Sequence, residues 1–406
     1  MPSTWLYGTC QPAGVALDQA ATIYAWPTGT LEVNTTDNRE AQVNDSYTLD
    51  NLFVLVTANN VDNASTIRTR KNGANGGLSV SVAANTTGDF EDQAGSDSLI
   101  DGDTWGYQVV VGAGAGGDVL TLTLISVTAD AGSDIPFLLS STSASVGATL
   151  TRYYAVIGSQ SVATTEADVQ YRFRVASTLS NLTVRVITNA STGTTTVRLR
   201  KNTADGNQVL SIATLATWFF EDAVNTDSIA SGDLVDTSAA NAGASGSISI
   251  QNSSYKSAAV GQQVGVLNHA GVGFTADRYQ PIAGRMSNGG TTESTVDRNV
   301  PVAFDAKNMF VRSTANTRSD ATTVAFRVNA ANSALSVSIG ASTSGEFEDT
   351  VDTISVVVND DVNWFVDIGA GTGTLTLSII GLELNQPAGA APSLFPPWPQ
   401  RIFQVR

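Results

Sequence analysis

The amino-acid sequence predicts an all-β protein of three tandem antiparallel β-sandwich domains, and three observations carry that expectation. The first is a block written three times. Ile67-Arg68-Thr69-Arg70-Lys71-Asn72 leads through Leu78–Val82 to Phe90-Glu91-Asp92, Val197–Asn202 through Leu210–Ile212 to Phe220-Glu221-Asp222, and Val324–Asn329 through Leu335–Ile339 to Phe347-Glu348-Asp349. The interval from Arg70 to Phe90, Arg200 to Phe220 and Arg327 to Phe347 is 20 residues each time, and Asn51, Asn181 and Asn308 each stand 19 residues before their arginine. The offsets between copies, 130 and 127 residues, are those of whole domains, each able to bury its own core. The second observation is the rhythm of short apolar runs separated by Gly, Asn and Asp turns, with no sustained helical period. The third is composition: 36 glycines in 406 residues and only 14% charged residues give a turn-dense, weakly charged chain, while 42% hydrophobic residues suffice for three cores.

Taken in order, residues 1–14 form an irregular N-terminal arm, with Trp5, Tyr7 and Cys10 gathered before Pro12. The first sandwich, 15–130, is expected to hold strands at Thr22–Trp26, Thr30–Val33, Leu52–Val56, Ile67–Asn72, Leu78–Val82, Trp105–Val111 and Val119–Ile125. In the last of these strict alternation puts Val119, Thr121, Thr123 and Ile125 on one face and Leu120, Leu122 and Leu124 on the other. Ala113–Gly117 makes a hairpin loop before it. The second sandwich, 131–257, repeats the order with Tyr153–Ile157, Val169–Val175, Leu182–Val186 and Ser247–Ile250. The third, 258–386, follows with Val264–Leu267, Val300–Phe304, Met309–Arg312, Ile354–Val358, Trp364–Ile368 and Leu375–Ile380. Residues 387–406 are a C-terminal arm. Five of the chain's 11 prolines fall in Pro387–Pro399, which bars it from a sheet interior and favours an extended path. Its Phe395, Trp398 and Phe403 are the candidate anchors for a neighbouring subunit.

A net charge of −16 repels phosphate backbones and anionic bilayers, so neither nucleic acid nor membrane is expected as a partner. One cysteine excludes an internal disulfide and Cys-based zinc sites, and one histidine, His269, leaves little for acid–base or metal chemistry. The start, Met1-Pro2-Ser3-Thr4-Trp5, has no basic region and no apolar core of a secretory signal.

Within the repeat, Arg70, Arg200 and Arg327 hold strand register as cross-strand partners of a carboxylate would. Glu91 and Asp92, with Glu221, Asp222, Glu348 and Asp349, are the candidates, and Phe90, Phe220 and Phe347 plug the sandwich ends. A calcium site is the functional alternative, built from Asp92, Asp97, Asp101 and Asp103, then Asp222, Asp227 and Asp233, then Asp349, Asp352, Asp360 and Asp361; the ordered spacing of a calcium loop is missing, so no cofactor is assigned. No carboxylate pair is singled out for glycosidase chemistry, and no Gly-x-Ser-x-Gly elbow supports a triad with His269. An enzyme is not expected. Asn34, Asn63 and Asn189 head sequons that so Ser/Thr-rich a chain holds by chance.

The succession Arg-(Lys)-Asn, Leu-Ser-Val-Ser-Val/Ile, Thr-(Thr/Ser)-Gly-(Asp/Glu)-Phe-Glu-Asp and Asp-Ser-Ile/Leu-x-x-Gly-Asp resembles the β-sandwich repeats of virion structural proteins of tailed bacteriophages, over residues 15–385. The second copy departs with Trp218-Phe219 before Phe220, and the third with Asn359-Asp360-Asp361. The resemblance implies jelly-roll-like domains. It also implies a non-enzymatic virion protein that decorates the capsid or forms part of the tail, collar or fibre apparatus. Its partners would be capsid or tail subunits or further copies of itself. Such a protein, assembled in the host cytoplasm, fits a composition of extracellular type without an export signal. Three copies in one chain are expected to mimic a trimer about a pseudo-threefold axis. The competing expectation is an adhesin for host-surface glycans, with Trp26, Trp105, Trp218 and Trp364 as sugar platforms.

Overall fold

The computed structural model describes residues 4–130, 135–159, 162–258, 262–282 and 284–385. In the first domain the strands are β1 (Thr4–Asp18), β2 (Thr22–Ala25), β3 (Gly29–Thr30), β4 (Val33–Asn34), β5 (Ala41–Gln42), β6 (Tyr47–Asn59), β7 (Ser65–Lys71), β8 (Ala74–Val82), β9 (Gly88–Leu99), β10 (Thr104–Val110) and β11 (Val119–Asp130). They form two sheets, ordered β3-β1-β11-β6-β9 and β4-β2-β10-β7-β8, with β5 added to β10. Setting the two-residue strands aside, the first strand pairs with the last (β1 with β11), β2 with β10, β6 with β9 and β7 with β8. That is one long antiparallel ribbon folded over on itself, which is the jelly roll. The same order recurs between Ile135 and Ser257 and between Gln262 and Asn385. The expected all-β architecture of three sandwiches is therefore the one observed, and the strand order makes each a jelly roll. Among the described residues the helical turns are two short 3-10 turns, Glu166–Asp168 and Glu293–Thr295.

The repeated asparagines explain the local fold. Asn51, Asn181 and Asn308 have φ of 51°, 53° and 51°, and the register of β6 and its counterparts shifts at each of them. Asparagine tolerates this left-handed backbone, so it marks the β-bulge that bends the strand. Asn72-Gly73, with φ of 49° and 71°, turns β7 into β8 with both central residues left-handed, as a tight hairpin needs.

Several expectations are corrected. Residues 4–14 are not an arm: Thr4–Cys10 pair with Asp130–Leu124 and Val15–Asp18 with Leu122–Val119. Pro12 does not end the strand because it falls in the bulge between Cys10 and Val15, where the ladder needs no N–H donor. In β11 the register shifts around Thr123, so Leu120, Leu122 and Ile125 all enter the core while Leu124 turns to the opposite face with Cys10, Phe53 and Leu55. Val169–Val175 keeps only the two-residue strand Tyr171–Arg172, and Val300–Phe304 is a connection reaching strand only at Phe304. Ala113–Gly117 is not a hairpin loop, since it carries the chain from one sheet to the other. The expected C-terminal arm, 387–406, lies outside the described residues.

The three jelly rolls close into a ring. Strand β3 and its counterparts Gly158–Ser159 and Gly284–Arg285 meet one another at its centre. There the hydroxyls of Thr30 and Ser159 share a hydrogen bond of 3.1 Å. Arg285 N donates to Cys10 Sγ at 3.1 Å, and the thiol donates to Arg285 O at 3.3 Å. Gly284 is required here: at φ 105°, a Cβ would stand 2.8 Å from Cys10 Sγ and 3.0 Å from the Gly29 carbonyl oxygen.

Candidate assembly interfaces

Each signature arginine is held from two sides, but not by the expected carboxylates. Arg70 donates to Asp37 at 2.7 Å, Arg200 to Glu166 at 2.9 Å and Arg327 to Glu293 at 2.6 Å. The far side of the guanidinium caps its own hairpin, on Gly73 O, Thr203 O and Ala330 O. The two 3-10 turns exist to bring Glu166 and Glu293 to this point. Asp92, Asp222 and Asp349 instead tie one sheet edge to the other. Asp92 accepts from Ser79 N at 2.8 Å and Gly95 N at 2.8 Å, Asp222 from Val209 N at 2.8 Å, and Asp349 from Ser336 N at 3.1 Å. For Asp222, burial would raise the carboxyl, but bonds from Asn225, Val209 and Val224 outweigh it and hold it below the usual range. Phe90, Phe220 and Phe347 are half-buried and pack against the core rim.

Five of the remaining calcium candidates are also spent on the fold. Asp103, Asp233 and Asp360 accept from Asn72, Asn202 and Asn329 at 2.6, 2.7 and 2.6 Å, locking two turns together in every domain. Asp97 accepts from Gly77 N at 2.6 Å and Asp227 from Asn207 N at 2.7 Å. Carboxylates facing N–H donors are poor cation ligands. Among the described residues no group of three or more His, Cys, Asp or Glu side chains is placed to hold a metal ion.

Sequence reasoning missed the contacts that join the domains. By the 130- and 127-residue offsets, Phe53, Thr183 and Phe310 are equivalent, as are Leu55, Arg185 and Arg312. Each time, this outer face of β6 or its counterpart receives the segment around β5 of the preceding domain. Between the first and second domains Arg185 stands 3.5 Å from Glu40, Asn252 donates to Glu40 O at 2.7 Å, and Lys256 pairs with Asp45 at 2.6 Å. Between the second and third, Arg172 and Arg174 meet Glu348 at 3.2 and 3.3 Å, Arg312 donates to Ala167 O, and Tyr171 packs edge-on against Phe310 with 6.4 Å between centroids. Between the third and first, Arg298 is fully buried, its guanidinium 4.1 Å above the Phe53 ring and 3.2 Å from Glu91. That third contact closes the ring.

Burial dominates the electrostatics here. It lowers Arg298 to about 10 against the pull of Glu91. It also raises Glu40 and lowers Arg185, so desolvation outweighs their mutual attraction at both ends of the pair. A related triplet lies beside these seams. Glu40, Gln170 and Asp297 are equivalent, as are Gly106, Asp236 and Asn363, so every domain carries one carboxylate at this crossing, buried as Glu40 and Asp236 and half-buried as Asp297. Burial, then the neighbouring Glu166, raises Asp236 to about 8. Burial also raises Asp297 to about 7, against a hydrogen bond from Asn363.

Of the four candidate sugar platforms, Trp26, Trp105 and Trp364 are fully buried core residues, and Trp218 alone is exposed, at 62%. Its indole packs edge-on against Phe219, and Arg185 lies over both rings at 4.9 and 4.7 Å. His269 lies on the strand Gln262–Phe274, with its side chain outside the described residues. The anchors Phe395, Trp398 and Phe403 also fall outside them. No helix among the described residues is long and apolar enough to cross a membrane.

No protein-family model matches the chain, and no curated protein matches it. Among solved structures it is similar to a chain from "The Triple Jelly Roll Fold and Turret Assembly in an Archaeal Virus", at 12% identity and TM-score 0.19, over 94% of this chain and 91% of that one. A second similarity is to a chain from "Life in the extremes: atomic structure of Sulfolobus Turreted Icosahedral Virus", at 11% identity and TM-score 0.18, over 94% and 97%. Neither description names a tailed bacteriophage. The jelly-roll assignment rests on the strand order of each domain.

Proposed function

We propose that this chain is a non-enzymatic building block of a virus particle, a tile in which one polypeptide supplies the three jelly rolls of a trimer. The observation that supports it most is the closed ring: three sandwiches joined by the same two surfaces in cyclic order, the last returning to the first through Arg298, Phe53 and Glu91. A closed ring of flat-sided sandwiches is suited to paving a shell, decorating it or forming a layer of a tail or collar. Its partners would be other virion proteins or further copies of itself. The segment after Asn385 is the proposed anchor, with Phe395, Trp398 and Phe403 entering a neighbour's pockets.

Antibodies raised against the purified chain should label particles recovered from lysates of its source. A chain found in no particle fraction would overturn the reading. Ending the chain at Asn385 should abolish attachment to particles stripped of this protein while the melting transition persists. Undiminished attachment would move the anchor to the sandwich surfaces.

A further inference from the structure

On the outer face of the second sheet, one row of cross-strand neighbours differs from domain to domain. In the third domain Tyr279 pairs with Phe365, the rings stacked at 4.8 Å and 29°, and Arg327 lies 5.5 and 5.4 Å above them. In the first, Tyr24 pairs with Gln108, whose amide donates to the Tyr24 hydroxyl at 3.1 Å. In the second, Tyr153 pairs with Ser238. The tyrosine is kept and its covering group is missing.

The result is a dish of about 390 Å³, lined by Tyr153, Ser238, Thr196, Arg198, Arg200 and Asp205 among others. That volume lies within the ~300–1,000 Å³ usual for small-ligand sites. Tyr153 is fixed in place: its N–H and C=O both bond Ala163 at 3.0 Å, and its side chain packs on Ala155, Ala163 and Val169. The opposite rim offers a fixed array of donors and an acceptor. Arg198 stands 3.3 Å from Asp205, and Arg200 is held by both Glu166 and Asp205. A ring-shaped ligand carrying hydroxyls matches this lining, its apolar face on the phenol and its hydroxyls on guanidinium and carboxylate.

We propose that the second domain holds a saccharide subsite, in which a pyranose ring takes on Tyr153 the place that Phe365 takes on Tyr279. The site is separate from the buried tryptophans and does not depend on the role of the ring in a particle. The test is saturation-transfer NMR on the intact chain with methyl α-glucopyranoside, methyl β-galactopyranoside and N-acetylneuraminic acid, each at ~10 mM, since a single ring binds in the millimolar range. Phenol serves as a ring without sugar hydroxyls. At least one pyranose should receive transfer. Ser238→Phe, which installs the third domain's residue, should weaken it about tenfold or more with an unchanged melting transition, and Tyr153→Ala should weaken it likewise in a chain that still folds, at a lowered melting temperature. Transfer to phenol alone, to no pyranose, or to a pyranose undiminished in a folded Ser238→Phe chain would each overturn the proposal.

Discussion

Replacing Arg298 separates two accounts of how the ring closes, by charge pairing or by burial. The guanidinium is fully buried, and burial lowers it by between two and three pH units, to about 10. At 1.36 kcal/mol per pH unit, that is roughly 3 kcal/mol of net penalty on holding the charge there. The stack on Phe53 returns about 2 kcal/mol at a desolvated site. Arg298→Met removes penalty and stack together and should change the free energy of opening by less than about 1.4 kcal/mol. Arg298→Glu keeps a buried charge, sets it against Glu91 and Asp89, and should cost at least about 3 kcal/mol. Cys10 supplies the assay. It is the chain's one cysteine, buried against Arg285 at the same seam, with burial raising its thiol to about 12. Its labelling by a disulfide reagent therefore reports opening. Arg298→Glu should label about a hundredfold faster than the parent chain, and Arg298→Met within tenfold of it, since 1.4 kcal/mol is one decade. If the glutamate variant labels no faster, the third seam does not close the ring. If the methionine variant labels as fast as the glutamate variant, the ion pair outweighs burial and the reasoning fails.

Asp236 should make the second domain lose stability as pH rises. Its carboxyl is raised to about 8 when folded against 3.8 as a free group, so its contribution is present below pH 4 and lost up to pH 8. Asp236→Asn, matching Asn363 of the third domain, should leave melting at pH 3 nearly unchanged and gain progressively as pH rises, by on the order of 5 kcal/mol at pH 8; a gain equal at both pH values would refute the assignment. Asp222→Ala should cost about 2 to 3 kcal/mol in denaturant titrations, because three backbone N–H groups lose a charged acceptor. The wild-type stabilisation from Asp222 should vanish as pH falls through its lowered native value. Leu215 is 73% exposed at φ 61°, where the sister domains have Asn85 and Ser342 at 57° and 53°. Leu215→Asn should stabilise by about 1 kcal/mol in the same titration.

The domain plan was legible because repetition is a signal independent of propensity: Asn51, Arg70 and Phe90 recur at fixed spacing since each fixes one bulge, one hairpin or one core rim. The arginines' true partners were legible too. Asp37, Glu166 and Glu293 lie 33, 34 and 34 residues before their arginines, an interval that varies by only one residue across the three copies. The seams were harder to see. Leu52–Val56 is apolar at every position because both faces of β6 are covered, one by the core and one by the third domain. In the second domain the same face carries Thr183 and Arg185, which read as solvent-facing. Which sandwich covers which face is set by contacts more than a hundred residues apart, as between Glu91 and Arg298. Bulges defeated the alternation of β11, since one extra residue exchanges the faces from that point on.

The tether between sandwiches has a consequence of its own. Three separate subunits must find one another at their bulk concentration, whereas joined domains meet at a local concentration of the order of millimolar. Seams as polar as Glu40 with Arg185 can then stay shut without a large apolar contact. Separate identical subunits would also have to display every surface three times over. One chain is free to vary each copy alone, with a phenyl ring beside Tyr279, an amide beside Tyr24 and a hydroxymethyl beside Tyr153, so a single scaffold can present three different faces.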